Sequence, residues 1–435
     1  MIGVVLSEVN NLGGSLLFEP ATEAGTVQAN KDDASSGVAN WGLTNNFPRE
    51  IIDLVAKSTE LGALLDWKSK QLHGKRIKAV TRNENGEAKE LKDEEINAFL
   101  KARTTKRYWR EACVDLVWFA NVFAELIKSN GTDKIAYLGT QDASFCRLSE
   151  MDKGKIKNCY VSAEWPSAKK DDKAKVITYD LLDPYSYDAV ENTKKSKSKS
   201  FIYPVSIPSP GKLYYQLSSW DGLRLSKWLE LMVNIPILKE AYLRNVLNVV
   251  FNIGVREDLW GKWYANWKEL TDAEKVTIKK SWLKAMNDKL TGVEKGGSSL
   301  ITEFAYEDGK LVEGVTITAI ANPFKDGEHL EDSQEGSAHS RAALGLHSSL
   351  VGTGPGKSMG AGSGSDMLVA VKIYDAQQVM AREILLEPLV FIAEYNGWFA
   401  TYPDLEFEVE SIDLNFDKAT VRPIGQKGGN SNATT

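Results

Sequence analysis

At 435 residues, 43% of them apolar, the chain is too long for one hydrophobic core and sets an expectation of about three domains or subdomains. Its formal net charge of −6 excludes a global basic field that would pull in nucleic acid. Three cysteines, Cys113, Cys146 and Cys159, without a C-x-x-C pair exclude a disulfide framework and point to a reducing compartment.

The first residues, MIGVVLSEVN, lack a basic n-region and include Glu8, so they do not read as a signal peptide. Residues 1–40 are poor in large apolar groups after Phe18 and read as an arm or disordered segment. The texture changes at WGLTNNFPREIIDLVAKSTELGALLDWKSKQLHGKRI. Pro48, with Asn45 and Asn46 ahead of it, suits the first turn of a helix whose apolar face is Ile51, Ile52, Leu54 and Val55. A second helix is expected from about Leu61 to Leu72, ended by Gly74. DEEINAFLKAR and RYWREACVDLVWFAN read as two more. The densest apolar run, LVWFANVFAELI, includes Glu125 and falls short of the roughly 20 residues a membrane span takes, so a soluble intracellular protein is expected.

Asn130-Gly131 between apolar runs marks a hairpin, and strands are expected in KNCYVSAEW and AKVITYDLL. The lysine-rich tracts AKKDDKAK and KKSKSKS read as solvated loop tips; contact with nucleic-acid phosphate is the other reading. A long helix is expected in SSWDGLRLSKWLELMVNIPILKEAYLRNVLN. Its apolar stripe is Trp220, Leu223, Trp228, Leu231, Ile235, Leu238 and Tyr242, with a kink at Pro236. VVFNIGV then reads as a strand, and LTDAEKVTIKKSWLKAMND as a helix opened by a capping box of Thr271 and Glu274. SSLITEFAY and VEGVTITAI read as strands, making 249–320 a small α/β module set between helices. KDGEHLEDSQEGSAHSRAALGL is a polar helix. The last long helix, with Ser365 as N-cap and a kink at Pro388, is followed by the alternating strand LEFEVESIDLNF. The tail from about Gly425 is expected to be disordered.

Between those last helices lies LVGTGPGKSMGAGSGSDM, which superficially matches a phosphate-binding loop. Gly356, Lys357 and Ser358 supply the second half of G-x-x-x-x-G-K-[ST], but the first glycine is replaced by Val351, and Gly352 leaves the loop one residue short. A helix end precedes the stretch where a strand is required, and Gly360, Gly362 and Gly364 oppose a helix start after it. The stretch therefore reads as a glycine loop joining two helices.

Other chemistry is as thin. The histidines His73, His329, His339 and His347 do not pair with cysteine at zinc spacing. Glu328, Asp332, Glu335 and His339 share one helical face, which reads as a solvated acidic face because a metal site needs ligands from more than one helix. There is no G-x-S-x-G elbow for a serine hydrolase. No enzymatic activity, catalytic residue, metal or cofactor is expected.

The order of segments is more telling. WGLTNNFPREIIDLVAKSTELGALLDWKSKQLHGKRI, with its aromatic-Gly start and N-x-x-P turn, resembles the opening of portal proteins of tailed bacteriophages. CVDLVWFANVFAELIKSNGTDKIAYL resembles the helix-then-hairpin of their wing. RAALGLHSSLVG, a glycine/serine loop and a long helix containing ILLEPL resemble their C-terminal half. The resemblance covers residues 41 to about 415 and leaves the arm 1–40 unexplained. It implies an α+β fold of portal architecture. The wing would be 41–218 with strands at 399–422, the stem helices 219–248 and 321–346, and the clip 249–320. The tunnel loop would be 347–365 and the long kinked wing helix 366–398. Only the tail 423–435 remains where a crown would be, so little or no crown is expected.

The same resemblance implies a ring of about twelve copies at one capsid vertex, with double-stranded DNA in its channel for packaging and ejection. Partners would be the major capsid protein, the terminase large subunit and a head-tail adaptor, with no membrane. The location would be the virion, after assembly in the host cytoplasm. His347, Gly352, Lys357, Ser358, Met359 and Ser363 would face DNA from the tunnel loop, with Lys357 meeting phosphate as a point charge. Glu328, Asp332 and Glu335 would form an acidic wall along which DNA slides. The competing readings are a P-loop-like nucleotide-dependent enzyme and a monomeric scaffold or binding protein.

Overall fold

The computed structural model describes residues 37–83, 86–131, 133–246, 251–291, 304–307, 310–319, 328–351 and 364–411. The expectations for the arm up to residue 36, the glycine loop over 352–363 and the tail fall outside them. The chain divides into two units, one of Met1–Val233 with Leu330–Thr435 and the other of Asn234–His329.

The first unit opens with a node of buried aromatics. Val38 and Ala39, which the sequence assigns to the arm, are instead core residues: Val38 bridges to Ser149, and Ala39 N–H donates to Leu148 O at 2.9 Å. Trp41 is fully buried, stacked on Tyr215 at 4.3 Å and edged by Phe119 and Phe123. The turn after it needs left-handed backbone at Gly42 (φ 80°) and Asn45 (φ 56°), conformations that glycine and asparagine tolerate. Asn45 Oδ1 then accepts from Trp41 N–H at 3.0 Å and from Arg147 Nε at 2.6 Å.

Helix α1 (Phe47–Ala56) follows with Pro48 in its first turn, as expected, and buries Phe47, Ile51 and Val55. Helix α2 (Thr59–His73) is capped by Ser58, whose hydroxyl accepts from Leu61 N–H, and ends at Gly74 (φ 62°). Strands β1 (Arg76–Arg82) and β2 (Ala88–Glu90) form a small sheet that the sequence patterning did not disclose. Helix α3 (Glu94–Lys101) leads through Ala102 into α4 (Arg103–Phe119).

Next come β3 (Asn121–Lys128) and β4 (Ile135–Gln141), the hairpin expected around Asn130-Gly131, then β5 (Cys146–Leu148), β6 (Asn158–Val161) and β7 (Ile177–Leu181). A short helix α5 (Ala189–Lys195) precedes β8 (Ser200–Ser206). These six strands form one sheet in the order β4-β3-β8-β7-β6-β5, antiparallel except between β7 and β8. The α4 face that packs on it buries Tyr108, Ala112, Cys113 and Leu116.

The long helix expected over 219–248 is not continuous. Trp220 and Leu223 sit in short turns, Lys227 turns left-handed (φ 68°), and α6 starts afresh at Trp228 and runs to Val246. A lysine in that conformation cannot continue a right-handed helix, which is why the stripe divides. Leu231 and Leu238 are exposed, against the expected core-facing stripe, and the Tyr242 side chain lies outside the described residues. Pro236 stands within α6, which continues past it.

In the second unit, β9 (Phe251–Val255) precedes α7 (Glu257–Trp263) and α8 (Asp272–Thr291). The capping box forms: Thr271 N–H donates to Glu274 Oε2 at 2.8 Å. Trp260 is buried where α7 meets α8, with Trp263, Trp267 and Trp282 around it. Strands β10 (Phe304–Glu307) and β11 (Lys310–Glu313) pair with each other, and β12 (Val315–Ala319) pairs with β9. The second unit, Asn234–His329, thus mixes helices and strands.

The chain returns to the first unit along α9 (Glu328–Ala343), then α10 (Gly364–Gln377), α11 (Val379–Asn396) and β13 (Leu405–Glu410). The single last helix of the sequence reading is two helices. They separate at Gln378, whose N–H bonds three residues back to Asp375 O, while Pro388 lies buried inside α11. Helix α10 begins at Gly364, so Ser365 is its second residue and not its cap. Strand β13 pairs with β1 antiparallel, Arg76 opposite Glu410, and completes the sheet β13-β1-β2. Arg382 of α11, 7% exposed, ties the end of α2 to α10: it donates to the Leu72 and Gln71 carbonyls and pairs with Asp375 at 2.8 Å.

Two outcomes follow from this packing. Trp41→Ala removes the centre of the aromatic node and should cost about 3–5 kcal/mol, whereas Leu43→Ala, exposed in the same turn, should stay within about 0.5 kcal/mol; denaturant unfolding of both variants separates them. On β13, hydrogen bonds from Lys75 and Arg76 pull the Glu410 carboxyl down to about 2. A carboxylate depressed in the folded state stabilises above its unfolded value, about 4.3, and loses that contribution as pH falls toward about 2. Glu410→Gln should therefore flatten the decline of Tm across this window and leave the plateau near neutral pH unchanged in shape. A decline of the same steepness in the variant would assign it to other carboxylates.

Candidate functional site

Helix α9 and the segments at its end carry the residues singled out by sequence. One face of α9 is built from small residues because α6 lies against it. A Cβ at Gly336 would stand 2.5 Å from Met232 Cγ, so no larger residue fits without moving that side chain. Ser340, fully buried, places its hydroxyl 3.0 Å from the Gly336 carbonyl and 3.3 Å from Met232 Sδ. Ser337, also buried, donates to the Glu60 carboxylate of α2, which Arg341 reaches at 3.3 Å.

Glu331, Asp332 and Glu335 are exposed. The expected acidic face therefore exists at Asp332 and Glu335 and gains Glu331, which the spacing argument did not include. The Glu328 side chain lies outside the described residues. His339 takes a different part from its helical neighbours: its ring stacks on Trp228 at 4.1 Å, 21° between planes. Among the described residues no three His, Cys, Asp or Glu side chains come together as a metal site. No helix there is long and apolar enough to cross a membrane.

The end of α9 is closed by Gly345 (φ 68°), with Leu346 N–H bonding back to Arg341 O. Lys68 of α2 donates to the Leu344 carbonyl at 3.2 Å, and burial lowers the pKa of its ammonium. His347 is exposed, and its Nδ1 accepts from Ser349 N–H at 3.2 Å, so it caps the single turn Ser348–Val351. The other residues expected on the loop, Gly352, Lys357, Ser358, Met359 and Ser363, lie outside the described residues. A cavity of about 760 Å³ is lined, among others, by Lys68, Leu344, Tyr374 and Gln377. The Tyr374 hydroxyl is buried there without a hydrogen-bond partner.

Chemically this arrangement offers exposed carboxylates, a buried ammonium used as a helix cap and an imidazole occupied by stacking. Gly336 is the feature that spacing arguments passed over; its signal was a glycine inside an otherwise helical segment, which calls for a packing reason.

No protein-family model matches the chain, and no curated protein matches it. Solved structures do. A chain from the neck of an empty gene transfer agent (GTA) particle, computed with C6 symmetry, aligns over 92% of this chain and 91% of its own length, with a TM-score of 0.54 at 11% identity. A chain from the virion of a native GTA particle aligns over 86% of each, with a TM-score of 0.54 at 12% identity. One from the neck of the native particle, computed with C12 symmetry, gives the same coverage and identity with a TM-score of 0.55. What is shared at such identities is the fold, and it extends across both units.

The α9–α6 contact generates a test. Gly336→Ala should cost about 1–3 kcal/mol through overpacking, and Met232→Ala in the same chain should recover most of it. Unfolding of the two single variants and the double variant measures the coupling; additive losses would mean the two side chains do not meet.

Proposed function

We propose that the chain is a portal protein of a phage-like particle, forming a ring at one capsid vertex through which double-stranded DNA is packaged and ejected. The observation that carries this reading is the near end-to-end fold likeness to chains from the neck of GTA particles. The segment order supports it from the sequence side. In this reading the unit Asn234–His329 is the clip that meets the terminase large subunit and the head-tail adaptor. The six-stranded sheet with α4 belongs to the wing, near the major capsid protein, and residues 347–365 form the tunnel loop. The particle is the final location, reached from the host cytoplasm during assembly.

Physical features agree with a ring. Helix α10 exposes Met367, Val369 and Ile373 in the isolated chain, and Leu231 of α6 is exposed as well. Apolar rows of this kind want a partner surface, and neighbouring copies in a closed ring supply one. The exposed acids of α9 suit a wall that DNA passes, because fixed negative charge opposes the phosphate contacts that produce tight non-specific binding. The reading includes the absence of catalysis: Val351 breaks the phosphate-loop spacing, and Lys357 has the role of a DNA contact.

Negative-stain images of the purified full chain should show closed rings, twelve-fold by this reading. Val369→Glu with Ile373→Glu should shift the light-scattering mass from ring to monomer while each chain still melts cooperatively; rings that persist in this variant would contradict assembly through α10. Removing residues 360–363 should leave ring formation and Tm nearly unchanged, since shortening a loop changes closure entropy only slightly, and should lower the yield of DNA-filled particles. Normal filling would reject the tunnel-loop assignment. The purified protein should turn over neither ATP nor GTP, and a rate abolished by Lys357→Ala would restore the enzyme reading.

A further inference from the structure

A second cavity lies in the first unit, away from α9. It measures about 540 Å³ and is enclosed by the end of α2, the start of β1, α3 and the first turns of α4. Its volume is in the usual range for small-ligand sites, about 300–1,000 Å³.

The start of α4 is built against ordinary helix chemistry. Helix α3, just before it, has the usual arrangement: Asp93 caps it through Ile96 N–H, and Glu94 and Glu95 occupy its first turn. Helix α4 starts at Ala102 with no side-chain cap and no acid in its first turn. Arg103, Lys106, Arg107 and Arg110 fill its first two turns instead. Cations there add to the partial positive charge of the helix N-terminus, which an anion would offset.

The cavity wall continues this imbalance. It carries Lys75, Arg76, Lys78, Lys101, Lys106 and Arg110 against one acid, Glu90. Lys75, Arg76 and Lys78 are neutralised by Glu410, Glu90 and Glu408. No carboxylate among the described residues pairs with Lys101, Lys106 or Arg110.

An independent observation points the same way. Thr105, in the first turn of α4, lines the cavity and is only 1% exposed, yet its hydroxyl has no hydrogen-bond partner. A buried hydroxyl left unpaired is costly, and in most proteins such a group has a partner. The cationic lining of the cavity suits an anion, whose oxygens accept, as that partner.

We propose that this cavity binds a phosphate group, held by Lys106, Arg110 and the Thr105 hydroxyl. A dianionic, tetrahedral oxyanion takes charge-assisted donors from several directions at once, which fits this donor set. The phosphate belongs either to a nucleic-acid backbone or to a free phosphorylated small molecule. The proposal stands on the α4 cavity alone and does not depend on the portal reading.

The test is calorimetric titration of the purified full chain with pyrophosphate, followed by competition with a 12-base-pair duplex DNA and with hexaglutamate. Saturable pyrophosphate binding is expected, weakened at least about tenfold in Lys106→Ala/Arg110→Ala, since hydrogen bonds between charged groups are the strong ones. Thr105→Val should weaken it several-fold, on the order of one hydrogen bond to a charged group, and Thr105→Ser should restore it, separating a hydroxyl contact from a packing defect. Displacement by the duplex assigns the site to nucleic-acid phosphate, and displacement by neither competitor assigns it to a free phosphate compound. Absent saturable binding, equal binding by the double variant, or displacement by hexaglutamate as effective as by DNA would overturn the proposal.

Discussion

The first unit hangs on a buried guanidinium. Arg147, 1% exposed, has no carboxylate paired with it among the described residues; it donates to Asn45 Oδ1 and to the carbonyls of Asn45, Ser144 and Cys146. Its charge lies over the rings of Trp41 and Trp165, each 5.6 Å away. Burial lowers the pKa of this group, and an unpaired buried cation is tolerable only where dipoles and aromatic faces replace water. That requirement fixes much else. Asn45 must hold a left-handed turn so that its amide reaches both Arg147 and Trp41 N–H. Tyr215 must stack on Trp41 so that its hydroxyl can donate to Ala39 O while accepting from Leu148 N–H. The segment before α1, the edge of the six-stranded sheet and the irregular run around Tyr215 are thereby locked into one arrangement. The aromatic-Gly start and N-x-x-P turn have physical roles: Trp41 is the core, Gly42 and Asn45 make the bend, and Pro48 starts the helix.

How much of this was legible in the sequence depended on the range of the interaction. Local chemistry could be read: Pro48 in α1, the stop at Gly74, the Thr271–Glu274 box and the hairpin around Asn130-Gly131 all form. Features set by distant partners could not. The β13-β1-β2 sheet joins strands more than three hundred residues apart, and β1, with four charged or polar residues in RIKAVTR, shows little alternation by itself. The breaks at Lys227 and Gln378 carry no glycine or proline, whereas the prolines that drew attention, Pro236 and Pro388, lie inside continuous helices. Tertiary packing, not punctuation, chose those breaks. Within the candidate site, the acidic face was legible from period 3.6, but the stacking of His339 on Trp228 was not, because it depends on where α6 lies.

The exposed face of α9 and the start of α4 use charge in opposite ways. On α9, Glu331, Asp332 and Glu335 are exposed on a helix held by Gly336, Ser337 and Ser340 on its other side. Those small residues let α6 approach closely, so the acids are presented from a rigid support. At the start of α4, cations gather where a helix ordinarily places acids, around a threonine hydroxyl with no acceptor. The first arrangement is complete without a ligand; the second is not, since the Thr105 hydroxyl has no hydrogen-bond partner among the described residues. A net charge of −6 conceals this separation. For a chain whose proposed work is to pass a polyanion without retaining it, the useful property is the placement of repulsive and attractive surfaces on different elements, not their sum.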